Sequence, residues 1–84
     1  MSYEVWILRS AQRQLAALPR KDYMRLRDAI RALGEVPRPR GSRKLVGREG
    51  WRIRVGDFRV IFDIEDREKR ITIVHVGRRR DVYR

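Results

Sequence analysis

Two arginines, Arg54 and Arg59, flank the dipeptide Gly56-Asp57 in the stretch Trp51-Arg-Ile-Arg-Val-Gly-Asp-Phe-Arg-Val-Ile-Phe-Asp-Ile64. Apolar and other residues alternate strictly on both sides of that dipeptide, the pattern of two β-strands joined by a two-residue turn. Such a turn fixes the register. Val55 is then opposite Phe58, Arg54 opposite Arg59, Ile53 opposite Val60, Arg52 opposite Ile61 and Trp51 opposite Phe62. Trp51, Ile53, Val55, Phe58, Val60 and Phe62 share the core face, and Arg52, Arg54 and Arg59 share the water-facing one. Directly opposed like charges, with Cβ atoms ~5 Å apart, destabilise a sheet by a few tenths to ~1 kcal/mol. An anion held between the two guanidinium groups reverses the sign of that interaction. Phosphate suits the planar fork of arginine, which binds it bidentately. Side chains splayed into water and screened by salt are the plainer alternative.

The composition supports an anionic partner. The 84 residues include 22 Lys and Arg against 11 Asp and Glu, a formal net charge of +11. The excess is uneven: residues 1–35 carry +3, residues 36–62 carry +6 and residues 63–84 carry +2. Cysteine is absent and His75 is the only histidine, which excludes a disulfide framework, a thiolate nucleophile and a Cys/His zinc cluster. No apolar run approaches the ~20 residues of a membrane helix, and the first residues lack the pattern of a signal peptide. A cytoplasmic protein without a membrane partner is expected. The acidic residues Asp63, Glu65, Asp66 and Glu68 cluster in and beside a loop and read as solvated turn residues, with no metal site.

The elements that must carry this hairpin are legible along one domain spanning residues 1–84. Residues 3–8 read as a strand. Ser10 is a candidate cap for a helix with Ala11, Leu15 and Leu18 on one face. Pro19 falls in the first turn of a second helix, where Tyr23, Leu26, Ile30 and Leu33 recur at three- and four-residue steps and Gly34 marks the stop. Residues 36–42 form a connection broken by Pro and Gly. Residues 43–46 read as a short strand and 47–50 as a turn. After the hairpin come a charged loop at 65–69 and a last strand at 71–76. The fold class is α+β, with an N-terminal strand, a two-helix hairpin and about four further strands in a mainly antiparallel sheet.

The hairpin 52–62, followed by His-Val-Gly-Arg-Arg-Arg-Asp-Val-Tyr-Arg (75–84), resembles the RelE-type toxins of the RelE/ParE superfamily, and the Lys44-Leu45 pair before a glycine turn fits too. The resemblance covers essentially the whole chain. It implies a toxin of a type II toxin–antitoxin system: a metal- and cofactor-independent endoribonuclease that cuts mRNA in the ribosomal A site. The 2′-hydroxyl attacks the adjacent phosphate, and translation stops. It also implies a cognate, acidic antitoxin, RelB-like or Phd-like, with operator DNA bound only through the complex. By motif the catalytic set falls on Arg52, Arg54, Arg59, Arg79 and Tyr83, with Lys44, Arg78 and Arg80 as further RNA contacts. Many relatives have Lys in the hairpin or His after Val-Gly, where this chain has Arg52, Arg54 and Arg78. Arginine does not serve readily as a base, so the proton acceptor stays open between Tyr83, which is equally a stacking platform or a plug on the sheet, and His75, whose face is undetermined. A ParE-like inhibitor of DNA gyrase and a passive nucleic-acid-binding module are the competing functions.

Overall fold

The computed structural model describes residues 2–78. Its elements are β1 (Glu4–Ile7), α1 (Arg9–Ala16), α2 (Arg20–Glu35), β2 (Arg43–Lys44), β3 (Trp51–Val55), β4 (Phe58–Glu65) and β5 (Arg70–Arg78). The five strands form one sheet in the order β1-β5-β4-β3-β2. β1 runs parallel to β5, and every other pairing is antiparallel. This is the expected α+β arrangement.

The helices cover one face of the sheet. Ala11 and Leu15 of α1 and Leu26, Ile30 and Leu33 of α2 pack with Ile53, Phe58, Val60, Phe62, Ile71, Ile73 and Val76. Removing each of these larger side chains from water contributes ~1.5–3 kcal/mol. Trp51 and Val55, half-exposed, close the cluster at its rim. Tyr23, the first of the expected apolar positions on α2, stays exposed.

Several local expectations are corrected. Ser10 does not cap α1: the helix begins one residue before it, Leu8 occupies the N-cap, and no side chain caps the end. Pro19 is the N-cap of α2 and not part of its first turn. β2 ends at Lys44, and Val46 is 97% exposed. Gly34 is not a stop signal. It lies inside α2, which runs on to Glu35, and its carbonyl accepts a 2.6 Å hydrogen bond from the Tyr3 backbone N–H. A Cβ at Gly34 would stand 2.9 Å from the Tyr3 carbonyl oxygen and 3.2 Å from a Val5 methyl. The glycine therefore lets the helix rest directly on β1.

β5 departs from simple alternation. Ile61 pairs with His75 but Phe62 pairs with Ile73, so Val74 is an extra residue in the ladder. This bulge lets Ile73 and Val76, three positions apart, enter the same core. β1 ends at Ile7, opposite Ile73, so β5 has a free edge beyond that point. Gln14 of α1 covers it. The Val76 backbone N–H donates to Gln14 Oε1 at 2.7 Å, and Gln14 Nε2 lies 3.0 Å from His75 Nδ1. A backbone N–H can only donate, so the carboxamide oxygen must face Val76. Its NH2 then donates to His75 Nδ1, which places the imidazole proton on Nε2.

The close approach at Gly34 gives a direct test. Gly34→Ala adds helix propensity worth ~1 kcal/mol, yet the new methyl meets a backbone oxygen that cannot rotate away, and overpacking of that kind costs ~1–3 kcal/mol. A net loss of about 1 kcal/mol is expected in urea unfolding, whereas Ala32→Gly, at an exposed position two residues earlier, should lose helix propensity alone.

Candidate functional site: an arginine-lined sheet face

The hairpin of β3 and β4 has the register expected from its two-residue loop, with Val55 opposite Phe58 and Arg54 opposite Arg59. Gly56 adopts φ +61°, and Asp57 does not share the positive φ. That combination is a type II′ turn, which demands glycine at its first central position and matches the twist of the strands. The turn thus holds the two arginines face to face.

The register extends the set. Arg43 of β2 is directly opposite Arg52 of β3. Arg52 is opposite Ile61, and Ile61 is opposite His75. Arg59 is opposite Gly77. Arg43, Arg52, Arg54 and Arg59 therefore share the sheet face turned away from the helices, and Ile61, His75 and Gly77 continue it. Two depressions open there. One, of about 520 Å³, is lined by Arg40, Gly41, Arg43, Arg52, Ile53 and Arg54. The other, of about 370 Å³, includes Arg43, Arg48, Arg52, Arg59 and Ile61 in its wall.

Exposure differs across the set, and this corrects the expected uniformly water-facing row. Arg54 is exposed and Arg52 half-buried, but Arg59 is only 3% exposed. β4 is the central strand, with β3 and β5 on either side, and its neighbour on this face, Ile61, is also buried. Arg59 and Arg52 both engage surrounding groups. A guanidinium held in so dry a position acts on an approaching anion with less screening than one on the open surface.

Lys44 and Arg78 do not join this face. Lys44 is opposite Trp51, and its Nζ lies 5.7 Å from the Trp51 ring centroid. Lys44 nevertheless lines the smaller depression together with Arg43, Arg52 and Arg59. Arg78 is opposite Phe58, with its guanidinium 5.2 Å from that ring. Both belong to the core side of the sheet. Arg79, Arg80 and Tyr83 lie outside the described residues. Arg40, Arg43 and Arg48 were not singled out in the sequence. They fall in the irregular connection before β3, where alternation gives no face, although Arg43 is within reach of the same register argument once β2 is paired.

The ion pairs among the described residues are Arg27–Asp28 at 3.0 Å, Arg38–Asp66 at 2.9 Å and Arg70–Glu65 at 3.8 Å. None uses Arg43 or Arg54. Asp66 is the exposed turn residue that the sequence suggests, and it is also a tie point. It accepts from the Tyr3 hydroxyl at 2.7 Å and from both terminal nitrogens of Arg38. The hydrogen bonds from Arg38 and then Tyr3 hold its carboxyl below the ordinary value of 3.8. The same bond to Asp66 raises the Tyr3 phenol above its ordinary 10.0. Among the described residues no group of three metal-ligating side chains comes together, and no helix is long and apolar enough to cross a membrane.

Two predictions follow from this geometry. If the Arg54–Arg59 rung is repulsive until an anion enters, Arg54→Gln should raise the stability of the anion-free protein by a few tenths to ~1 kcal/mol. Added phosphate should stabilise the wild type more than the variant, since ligand binding to the folded state raises its stability. Thermal unfolding with and without phosphate reads both effects. The depressed Asp66 carboxyl contributes stability that is complete above about pH 3.8 and is lost as pH falls through its folded value. Asp66→Asn should therefore flatten the acid limb of the stability curve below about pH 4, measured by denaturant titration.

The comparisons with known proteins agree with this architecture. A family model described as "ParE toxin of type II toxin-antitoxin system, parDE" matches residues 5–83. The chain superposes on the toxin of the archaeal RelE–RelB complex from Pyrococcus horikoshii with a TM-score of 0.83 at 32% identity, covering 94% of this chain and 97% of that one. The RelBE2 toxin–antitoxin complex from Mycobacterium tuberculosis gives a TM-score of 0.83 at 24% identity, over 94% and 100% of the two chains. The isolated RelE toxin of Escherichia coli gives 0.80 at 21% identity, over 98% and 92%. The last two likenesses speak for the fold alone. No curated protein matches the chain closely enough to count as a relative. The match over nearly all its residues shows that this chain belongs to the ParE toxin family of type II toxin–antitoxin systems, within the RelE/ParE superfamily.

Proposed function

We propose that the protein is an mRNA interferase: an endoribonuclease that cuts mRNA in the ribosomal A site and so inhibits translation. The observation that carries this reading is the opposed pair Arg54 and Arg59 at the centre of a face with Arg43 and Arg52. In the reaction the 2′-oxygen forms a bond to the adjacent phosphorus while the bond to the 5′-oxygen breaks. The products are a 2′,3′-cyclic phosphate and a free 5′-hydroxyl. The 2′-hydroxyl proton leaves to a base, and the departing 5′-oxygen gains one. Negative charge accumulates on the non-bridging oxygens in the transition state. Guanidinium groups held in place beforehand stabilise that charge without reorganising. Arg54 and Arg59 take this role, Arg52 supports it from the neighbouring position on β3, and Arg79 adds a fourth cation by motif.

Arginine stays protonated throughout, so the base is another group. His75 has its only acceptor nitrogen, Nδ1, occupied by the Gln14 carboxamide. It cannot accept a proton there without losing that bond. Tyr83 is the remaining candidate of the motif. Its ring can also support an unstacked base, as aromatic side chains do in readers of single-stranded RNA. No metal or cofactor enters the scheme.

The relatives' structures are of toxins held by RelB antitoxins in the complexes from Pyrococcus horikoshii and Mycobacterium tuberculosis. A cognate acidic antitoxin, RelB-like or Phd-like, is the corresponding partner here, complementary to the net charge of +11. The complex with this antitoxin, not the toxin alone, is what would bind operator DNA, and the site of action is the cytoplasm. The description of the matching family model favours a second reading, a ParE-like inhibitor of DNA gyrase without nuclease activity.

Purified translating ribosomes separate the two. The interferase reading expects mRNA cleavage, with Arg54→Ala and Arg59→Ala each lowering the rate by roughly 10²–10³, the usual loss for one preorganised donor. Intact message at excess toxin, together with inhibited DNA supercoiling, would establish the gyrase reading instead.

A further inference from the structure

We propose that Arg40 and Arg43, with Arg52, form a second phosphate subsite that holds the RNA backbone one nucleotide away from the scissile phosphate. The inference rests on the nuclease reading for the identity of the strand, but its own evidence is separate.

The first observation is a second like-charge rung. Arg43 is directly opposite Arg52, as Arg54 is opposite Arg59, on the same sheet face. Two such rungs side by side concentrate positive charge along the face, which an anionic strand would complement. The second observation is containment. Arg40, Arg43, Arg52 and Arg54 converge on the depression of about 520 Å³, so the cations surround a space able to hold a phosphate and its sugar. The third is preorganisation. Arg40 sits in a turn closed by the Ser42 N–H donating to the Pro39 carbonyl at 3.0 Å. Arg43 is fixed by its pairing with β3, continued by the Leu45 N–H to the Gly50 carbonyl at 2.9 Å. The fourth is the ion-pair pattern. Arg27, Arg38 and Arg70 each have a carboxylate, and neither Arg40 nor Arg43 takes part in an ion pair among the described residues.

Spacing identifies the occupant. Arg52 and Arg54 are two residues apart on β3, ~7 Å along the strand. That separation is of the order of the distance between successive phosphates in an extended single strand. One phosphate at the Arg54–Arg59 rung thus brings its neighbour to the Arg43–Arg52 rung, with Arg40 closing over it. A ground-state anchor of this kind binds substrate and transition state equally, so its loss falls on KM and spares kcat.

The test is cleavage on programmed ribosomes by the wild type and by the double variant Arg40→Gln, Arg43→Gln. The mRNA carries either natural phosphates or one uncharged methylphosphonate linkage beside the cut, on the 5′ or the 3′ side in turn. The variant should keep the wild-type kcat and raise KM by roughly tenfold. One of the two methylphosphonate messages should raise the wild-type KM by a similar factor and add nothing further to the variant. An unchanged KM, a fall in kcat, or losses that multiply for both messages would overturn the subsite, the last because the arginines would then be touching another molecule. Cleavage by the wild type with an unaffected variant leaves the nuclease reading standing and removes only the subsite. If the wild type does not cut, the nuclease reading fails, and the subsite is decided by binding of a single-stranded RNA oligonucleotide: a log–log salt slope shallower by ~0.7 in the variant supports it, and an equal slope or no binding sinks it. Unfolding midpoints of the two proteins should agree to within the gain from relieved repulsion, which separates a binding loss from a folding loss.

Discussion

Everything on the arginine face follows from one electrostatic constraint: two guanidinium groups are held opposite each other by a turn that leaves them no other register. Salt and water weaken such repulsion on an open surface, but Arg59 is buried on the central strand, where solvent cannot relieve it as fully. A phosphate between the two converts an unfavourable contact into charge-assisted hydrogen bonds. In the proposed reading, the residues that would hold the phosphate are the same two that oppose each other across the hairpin.

The rest of the fold serves this arrangement by leaving the face open. Both helices pack on the opposite side of the sheet, where twelve buried apolar side chains among the described residues supply the core that a chain of 84 residues can scarcely enlarge. Gly34 lets α2 lie against β1, and the Arg38–Asp66–Tyr3 cluster ties the N-terminal strand, the connection before β2 and the β4–β5 turn together. Among the described residues, the ion pairs at Arg27, Arg38 and Arg70 use neither Arg43 nor Arg54.

Local pattern made the hairpin legible. Alternation about Gly56-Asp57, interrupted only at Ile61, sets pairing and face without any long-range information, and Trp51 to Phe62 pair as that logic requires. The α+β class and the helix pair were readable for the same reason. What pattern could not reach was tertiary. The burial of Arg59 depends on β4 becoming the central strand. The face of His75 depends on an extra residue at Val74, which shifts the alternation of β5. Lys44 and Arg78 fell on the other side because their pairing partners, Trp51 and Phe58, are core residues, and sequence alone did not say which residue each would meet. Arg40 and Arg43 escaped notice because the connection that carries them has no period. Gly34 looked like a helix stop because close approach to Tyr3 leaves no trace in composition.

The most direct measurement is a structure of the protein bound to a short RNA whose scissile 2′-hydroxyl is replaced by hydrogen. The account expects one phosphate between the Arg54 and Arg59 guanidinium groups, with non-bridging oxygens at ~2.7–2.9 Å from their nitrogens. A strand bound elsewhere on the chain, or a phosphate that contacts neither arginine of that pair, would contradict it.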